Sequence, residues 1–249
     1  MRYRLLVQRL ICGAALGLVC FLSNATEITN KRLTYDVSGS DAWAPYFMVT
    51  EQGREYGIMP ELVSRIFAKA ALAAEAKSYP PKRTNSYILD GTLDVDVINP
   101  DWIPNENLRK QFVYSDKLIE IKEFYITRKG FKVGAFFSVK DTVKPQVGMI
   151  RGYYYHNQAD YTRVNFPSEK SLIEALNKKR IDVIICGDLP AMFWAKPQGI
   201  KLDLVKLHSK GFLKLRMRKE LAPLIPKLNQ AIRELHEDGT IATIVKKYR

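Results

Sequence analysis

The sequence predicts an α/β fold with mostly parallel strands, divided into two lobes of similar build. Strand-like apolar segments alternate with helical patterns along the chain, which is typical of parallel sheets covered by helices. Two segments, 89–95 and 176–183, also resemble each other. Each passes from a helix end through a polar turn into an apolar residue, an Asp and a buried strand. The roughly 224 residues after position 25 fit two lobes of about a hundred residues each.

The N-terminal segment has the pattern of a secretory signal peptide. Three arginines within the first nine residues precede an uncharged apolar run, 10–22, and small residues follow at Ser23 and Ala25, where a signal peptidase reads the chain. The run is too short for a transmembrane helix. We therefore predict a signal peptide over residues 1–25 and a mature protein in the periplasm.

Composition excludes several other classes of protein. A hydrophobic content of 47% supports a packed core, which excludes disorder. Only Cys186 remains after signal removal, so the mature chain has no intrachain disulfide, and we expect this thiol to be buried and inert. The net charge is +13 over the whole chain, but the basic residues are scattered, so nucleic acid is not predicted as a partner.

The first half of the mature chain shows four clear elements. Leu33, Tyr35 and Val37 alternate with polar residues and predict a half-buried strand. Pro60 opens a helix whose apolar residues recur at helical spacing. Residues 94–98 predict a strand, and another strand follows over 123–127.

The second half repeats this alternation. Residues 147–150 predict a short buried strand, and Ser168 caps the helix that follows it. The run 181–186 is apolar apart from Asp182 and predicts a buried strand. An amphipathic stripe over 221–235 predicts a long helix that ends near Gly239.

No motif for catalysis, metal or cofactor binding is recognisable, so we predict a protein with no cofactor and no metal. There is no P-loop, dinucleotide fingerprint or G-x-S-x-G elbow, and the three histidines lack metal-ligand spacing. Aromatic and polar residues do stand at strand ends and in loops, where open α/β sheets bind ligands. From this position we select candidate ligand-binding residues, namely Trp43, Arg83, Asn99, Trp102, Arg151 and Tyr153.

Seven short motifs follow one another along the chain. They are WAPY at 43–46, GIMPEL at 57–62, GTLDV at 91–95, YSD at 114–116, RIDV at 180–183, DLPA at 188–191 and the terminal DGT at 238–240 with KKY at 246–248. Taken in this order, they resemble the periplasmic solute-binding proteins of ABC transporters, in the group typified by polar amino-acid binders (bacterial extracellular solute-binding proteins, family 3). The resemblance spans about residues 33–249.

The resemblance implies a type II periplasmic binding fold, in which two crossover strands join two lobes that close on a ligand. Lobe 1 is then discontinuous, over 26–127 plus 212–249, and lobe 2 covers 128–211. The implied protein is a monomer, not an enzyme, that captures a small polar, carboxylate-bearing and amino-acid-like solute for an ABC permease.

The resemblance also places charged ligand contacts. Trp43 takes the position of the stacking aromatic. The family's carboxylate-binding Arg falls at Leu108, with Arg109 beside it, and the ammonium-binding Asp falls at Gly187, with Asp188 beside it. Arg109 and Asp188 therefore join the candidate ligand-binding residues.

Two alternatives remain open from the sequence. The same fold serves as a ligand-binding module of a membrane sensor. It also resembles periplasmic dehydratases that act on prephenate-like acids, for which Asp188, Asp101 and Glu120 are the available acid–base groups.

Overall fold

The computed structural model describes residues 32–39, 43–132, 134, 144–156 and 159–248. The predicted signal peptide, residues 1–25, lies outside this part of the chain. Among the helices that the structure describes, none is both long and apolar enough to cross a membrane.

Strands and helices alternate through the described residues. The strands are β1 Leu33–Asp36, β2 Met48–Val49, β3 Glu55–Tyr56, β4 Ala74–Lys77, β5 Val95–Ile98, β6 Phe112–Tyr114, β7 Ile119–Arg128, β8 Gln146–Ile150, β9 Thr162–Phe166, β10 Val183–Gly187 and β11 Leu202–Arg218. The α-helices are α1 Ile58–Lys69, α2 Pro81–Asp90, α3 Glu106–Arg109, α4 Glu169–Asn177, α5 Asp188–Ala195, α6 Ile225–Glu237 and α7 Thr240–Lys247. Short 3-10 helices cover Pro100–Trp102, Lys196–Gln198 and Lys219–Leu224.

The main sheet consists of two parallel groups joined by two long antiparallel strands. Its strand order is β4-β1-β5-β11-β7-β10-β8-β9, with β6 beside β11. Neighbours are parallel within β4-β1-β5 and within β10-β8-β9. The ten-residue β7 and the seventeen-residue β11 pair antiparallel with each other and connect the two groups. The predicted α/β class is confirmed, and the two long strands are the crossovers.

Each parallel group has its own hydrophobic core. The core of the first group also contains apolar residues of α6 and α7. These two helices lie near the end of the chain and pack on α1. The second group packs around α4, α5 and β10. The boundaries given above for lobe 1 and lobe 2 stay a prediction.

The internal resemblance seen in the sequence corresponds to two matching ion pairs. Asp94 precedes β5 and accepts a hydrogen bond from Arg218 at 2.9 Å, and Asp182 precedes β10 and accepts one from Arg128 at 2.6 Å. Each arginine is the last residue of a long strand. Each crossover therefore ends on an arginine that binds the start of a central strand.

Gly91 makes room for the first of these pairs. Its φ is +87°, which favours glycine, and a Cβ atom there would lie 2.6 Å from Nη1 of Arg218.

Candidate functional site

A cavity of about 80 Å³ lies between the two halves of the molecule. The first half contributes residues at and after the carboxyl ends of β1 and β5, together with the first turns of α2, and the second half contributes two tyrosines that follow β8. Neighbouring parallel strands end at the same edge of a sheet, so their loops meet at one place. The lining residues are Asp36, Val37, Gly39, Trp43, Pro81, Thr84, Asn85, Asp96, Val97, Ile98, Trp102, Tyr153 and Tyr154.

The two halves touch each other beside the cavity. Asn85 on α2 donates a hydrogen bond to the carbonyl of Gly152 at 3.4 Å. Gly152 has a φ of +88°, and a Cβ atom there would lie 2.9 Å from the backbone nitrogen of Lys82. Glycine therefore permits this close approach of the two halves.

Aromatic rings form much of the cavity wall. Trp43 is buried and stacks on Tyr46, with ring centroids 4.6 Å apart. Trp102 is half-buried, and its Nε1 donates to the hydroxyl of Ser209 on β11 at 3.2 Å. Tyr153 and Tyr154 face them from the second half. The wall therefore offers both ring faces and polar edges to a ligand.

Asp36 brings a buried carboxylate to the cavity. The side chain is 2% exposed and accepts four hydrogen bonds. Its Oδ1 accepts from the backbone N and the hydroxyl of Ser38 at 2.8 and 2.6 Å, and its Oδ2 accepts from Tyr79 N at 3.2 Å and Thr84 Oγ1 at 2.6 Å. Burial raises the pKa of Asp36, against the opposing effect of these hydrogen bonds. Within the described residues no cationic side chain pairs with it.

Asp96 brings a second carboxylate to the cavity, and a buried arginine outside the described lining neutralises its charge. Arg216 on β11 binds it through two hydrogen bonds, Nε to Oδ1 at 2.9 Å and Nη2 to Oδ2 at 2.5 Å. Arg216 is 1% exposed, also donates to Asn85 Oδ1 at 3.0 Å, and lies over the Phe112 ring. Such a bidentate pair holds Asp96 in place and commits the guanidinium to it.

Three of the eight predicted ligand residues, Trp43, Trp102 and Tyr153, line this cavity. Arg83 and Arg151 are exposed and lie outside the described lining. Whether these two bind a ligand stays a prediction.

The other three predicted residues have local partners instead. Arg109 lies 3.6 Å from Asp101 in an ion pair. Asp188 accepts a hydrogen bond from the backbone of Leu189 at 2.8 Å, at the start of α5. Asn99 accepts one from the backbone of Asp101, and its amide points towards Gly211. None of the three is part of the described lining, and their roles in ligand binding stay predictions.

The sequence analysis missed two lining carboxylates, Asp36 and Asp96. It also missed Arg216, which lies behind the lining and binds Asp96. One signal was available, because an Asp at position 96 inside an apolar strand requires a partner when buried. That partner is 120 residues away in the chain, and spacing alone does not identify it.

A family model describing bacterial extracellular solute-binding proteins, family 3, matches residues 35–249. The chain belongs to this family. The family predicted from the seven motifs is therefore confirmed. No curated protein sequence matches the chain.

Solved structures resemble this solute-binding protein over most of its length. A mutant of ArgBP from T. maritima is 18% identical, with a TM-score of 0.70, and the match covers 90% of this chain and 98% of that one. An arginine third transport system periplasmic binding protein from Legionella pneumophila is 18% identical, with a TM-score of 0.70 and coverage of 88% and 99%. A histidine kinase sensor domain with similarity to periplasmic binding proteins is 15% identical, with a TM-score of 0.70 and coverage of 88% and 96%. At this identity the likeness establishes the fold, and the predicted two-lobe type II fold is confirmed.

Proposed function

We propose that this protein captures a small polar solute between its two lobes and delivers it to an ABC permease. It would act in the periplasm as a monomer, after removal of the signal peptide. One observation carries the proposal. The cavity is walled by both halves of the molecule, and these halves are connected through β7 and β11.

Closure would be driven by contacts that a ligand makes only when both halves meet it. Asp36 and Trp43 approach the cavity from the first half, and Tyr153 and Tyr154 from the second. In β11 the pairing with β7 shifts register twice, between Leu204 and Lys206 and between Leu207 and Ser209. Such irregularities are places where a strand pair bends.

The family resemblance implied that the solute carries a carboxylate, with Arg109 near the position of the family's carboxylate-binding arginine. Arg109 and Arg151 do not line the described cavity. The proposed function therefore rests on a mostly apolar, aromatic site that both halves line and that contains two carboxylates, and the carboxylate of the ligand remains a prediction for the ligand panel to decide.

The experiment is a thermal-shift screen of residues 26–249 against amino acids, dicarboxylates, amines, sugars and aromatic acids. A ligand present at about a hundred times its Kd stabilises the folded state by about 2.7 kcal/mol. For a chain of this size that corresponds to a rise in Tm of roughly 5 to 10 °C. If no compound of any of these classes raised the Tm, the capture of a small solute would be refuted.

A sensory role is the second candidate, and the likeness to a histidine kinase sensor domain favours it. Both roles share the binding step and differ in what the closed protein contacts. Uptake of the labelled ligand, compared between wild-type cells and cells lacking this gene, separates the two. Reduced uptake supports transport, and unchanged uptake with a lost transcriptional response supports sensing.

The dehydratase alternative finds little support at the cavity. Asp101 is exposed beside Arg109, Glu120 is paired with Lys122, and Asp188 lies at the start of α5. None of the three belongs to the described lining, and the family to which the chain belongs consists of binding proteins.

A further inference from the structure

We propose that the ligand of this cavity is a small organic cation, an amine or a quaternary ammonium compound, held by Asp36 and the surrounding aromatic rings. The inference rests on the proposed function and names the class of solute that the site takes. It differs from the carboxylate-bearing solute predicted from the sequence.

The first argument concerns charge. Two carboxylates, Asp36 and Asp96, line the cavity, and the described lining contains no Lys or Arg. Arg216 compensates Asp96 through its two hydrogen bonds. Asp36 accepts hydrogen bonds from neutral donors only, within the described structure. A buried charge is costly unless it is paired, so a cationic ligand in the adjacent space would supply the missing partner.

The second argument concerns the aromatic wall. Four rings line this small space, those of Trp43, Trp102, Tyr153 and Tyr154. The faces of such rings attract cations within about 6 Å, and boxes of several rings bind quaternary ammonium groups. An anion would meet the negative faces of the same rings as well as the Asp36 carboxylate.

The third argument concerns size. A cavity of about 80 Å³ has room for roughly three water molecules, at about 30 Å³ for each. An ammonium or trimethylammonium head has a similar volume. The cavity therefore suits the charged head of a compact amine.

The cavity also provides no free cationic side chain, within its described lining, that could bind a ligand carboxylate. Arg216 is the cation nearest to Asp96, and it is 1% exposed and committed to Asp96 and Asn85. A carboxylate ligand would have to compete with Asp96 for this guanidinium while lying close to Asp36. These electrostatics favour cations over both dicarboxylates and neutral sugars.

The test compares probes that differ in charge, using calorimetric titration of residues 26–249 at pH 7.5. The probes are choline, its uncharged isostere 3,3-dimethyl-1-butanol, putrescine, succinate and D-glucose. We expect choline or putrescine to bind, and the uncharged isostere to bind at least tenfold more weakly than choline or not at all. This comparison changes the ligand and leaves the protein intact, so it does not depend on the folding of any variant.

Two variants locate the charge on the protein. Asp36→Asn keeps the shape of the side chain and should weaken binding of the cation at least tenfold. Asp203→Asn removes a carboxylate of the same type from β11, outside the described cavity lining, and should leave the Kd unchanged. The Tm and circular dichroism spectrum of each variant show whether it folds. If Asp36→Asn does not fold, the comparison of choline with its isostere decides.

The outcomes separate this inference from the proposed function. Binding of succinate or glucose without binding of either cation overturns the inference and leaves solute capture intact. Equal binding of choline and its isostere, or full binding of choline by a folded Asp36→Asn variant, also overturns it. If none of these probes binds and no compound of the thermal-shift panel raises the Tm, the proposed function is refuted together with this inference.

Discussion

Glu123 gives the protein a stability that depends on pH in a defined direction. The residue lies on β7, is 7% exposed, and accepts a hydrogen bond from Ser209 Oγ at 2.6 Å. Ser209 in turn accepts one from the indole of Trp102 in the cavity wall. Burial raises the pKa of Glu123 to about 7, and the negative charge of the nearby Glu169 adds to this effect. The carboxyl is therefore half protonated near neutral pH.

The sign of the dependence follows from the raised pKa. The ordinary value for the carboxyl is 4.5, and the folded-state value is about 7. Protonated Glu123 is compatible with burial, so its contribution to stability is complete below pH 4.5. That contribution is lost as the pH rises through 7, because the ionised form is better solvated in the unfolded chain. A difference of about 2.5 in pKa corresponds to a loss of about 3 kcal/mol of unfolding free energy.

The substitution Glu123→Gln removes the titration and keeps a neutral side chain whose oxygen still accepts from Ser209. Urea unfolding of residues 26–249 at pH 5, 6, 7 and 8 measures the free energy of both proteins. Relative to wild type, the variant should gain about 2.5 kcal/mol between pH 5 and 8, the part of the total change that falls in this range. Glu120→Gln on the same strand is the matched control, since Glu120 is about half exposed and paired with Lys122.

Two results would contradict this reasoning. A difference between Glu123→Gln and wild type that stays constant from pH 5 to 8 would mean that Glu123 does not titrate there. An equal pH dependence in the Glu120→Gln control would assign the effect to general surface charge. Neighbouring acids with raised pKa values, Cys186 and Tyr155, stay protonated over this range because burial disfavours their charged forms.

Three further predictions concern stability and reactivity. Gly91→Ala should lower the unfolding free energy by about 1 to 3 kcal/mol in urea titrations. The φ of Gly91 is positive, and the new Cβ atom would press on Arg218. A change of less than about 0.5 kcal/mol, the usual range for surface substitutions, would contradict this. Arg216→Met should cost about 3 to 5 kcal/mol by leaving Asp96 buried without its partner, and the double variant with Asp96→Leu should recover most of the loss in the same assay. Cys186 should react with a thiol reagent only after unfolding in denaturant, since burial raises its pKa well above the ordinary value; rapid reaction in the native state would refute this.

Local patterns were sufficient for most elements of the fold. The apolar strand before Gly187 and the Ser168 cap of α4 lie where periodicity and capping rules place them. The cap is part of a capping box that Ser168 forms with Ser171, a pairing that the sequence analysis did not predict. These features depend on residues within a few positions of one another, and for this reason a single sequence reveals them.

Long-range pairing decided the site. Trp43 and Trp102 could be predicted from the sequence as ligand-site residues, because residues just after the strands lie at the ligand-binding edge of such sheets. Arg109 was selected from motif spacing, but it has an ion-pair partner outside the described cavity lining. Side-chain direction within a loop depends on its neighbours in space, and motif spacing does not contain that information.

By itself, the sequence determined the α/β class, the doubled arrangement and the family, because repeated local patterns encode them. Only the tertiary structure decided which charges meet at the cavity. Arg216 reaches Asp96 across 120 residues, since β11 returns to pair with β5. Asp36 remains without a cation in the described structure because the fold brings only neutral donors to it. Charge pairing is a property of three-dimensional neighbours, and the net charge of +13 over the whole chain contains no information about it.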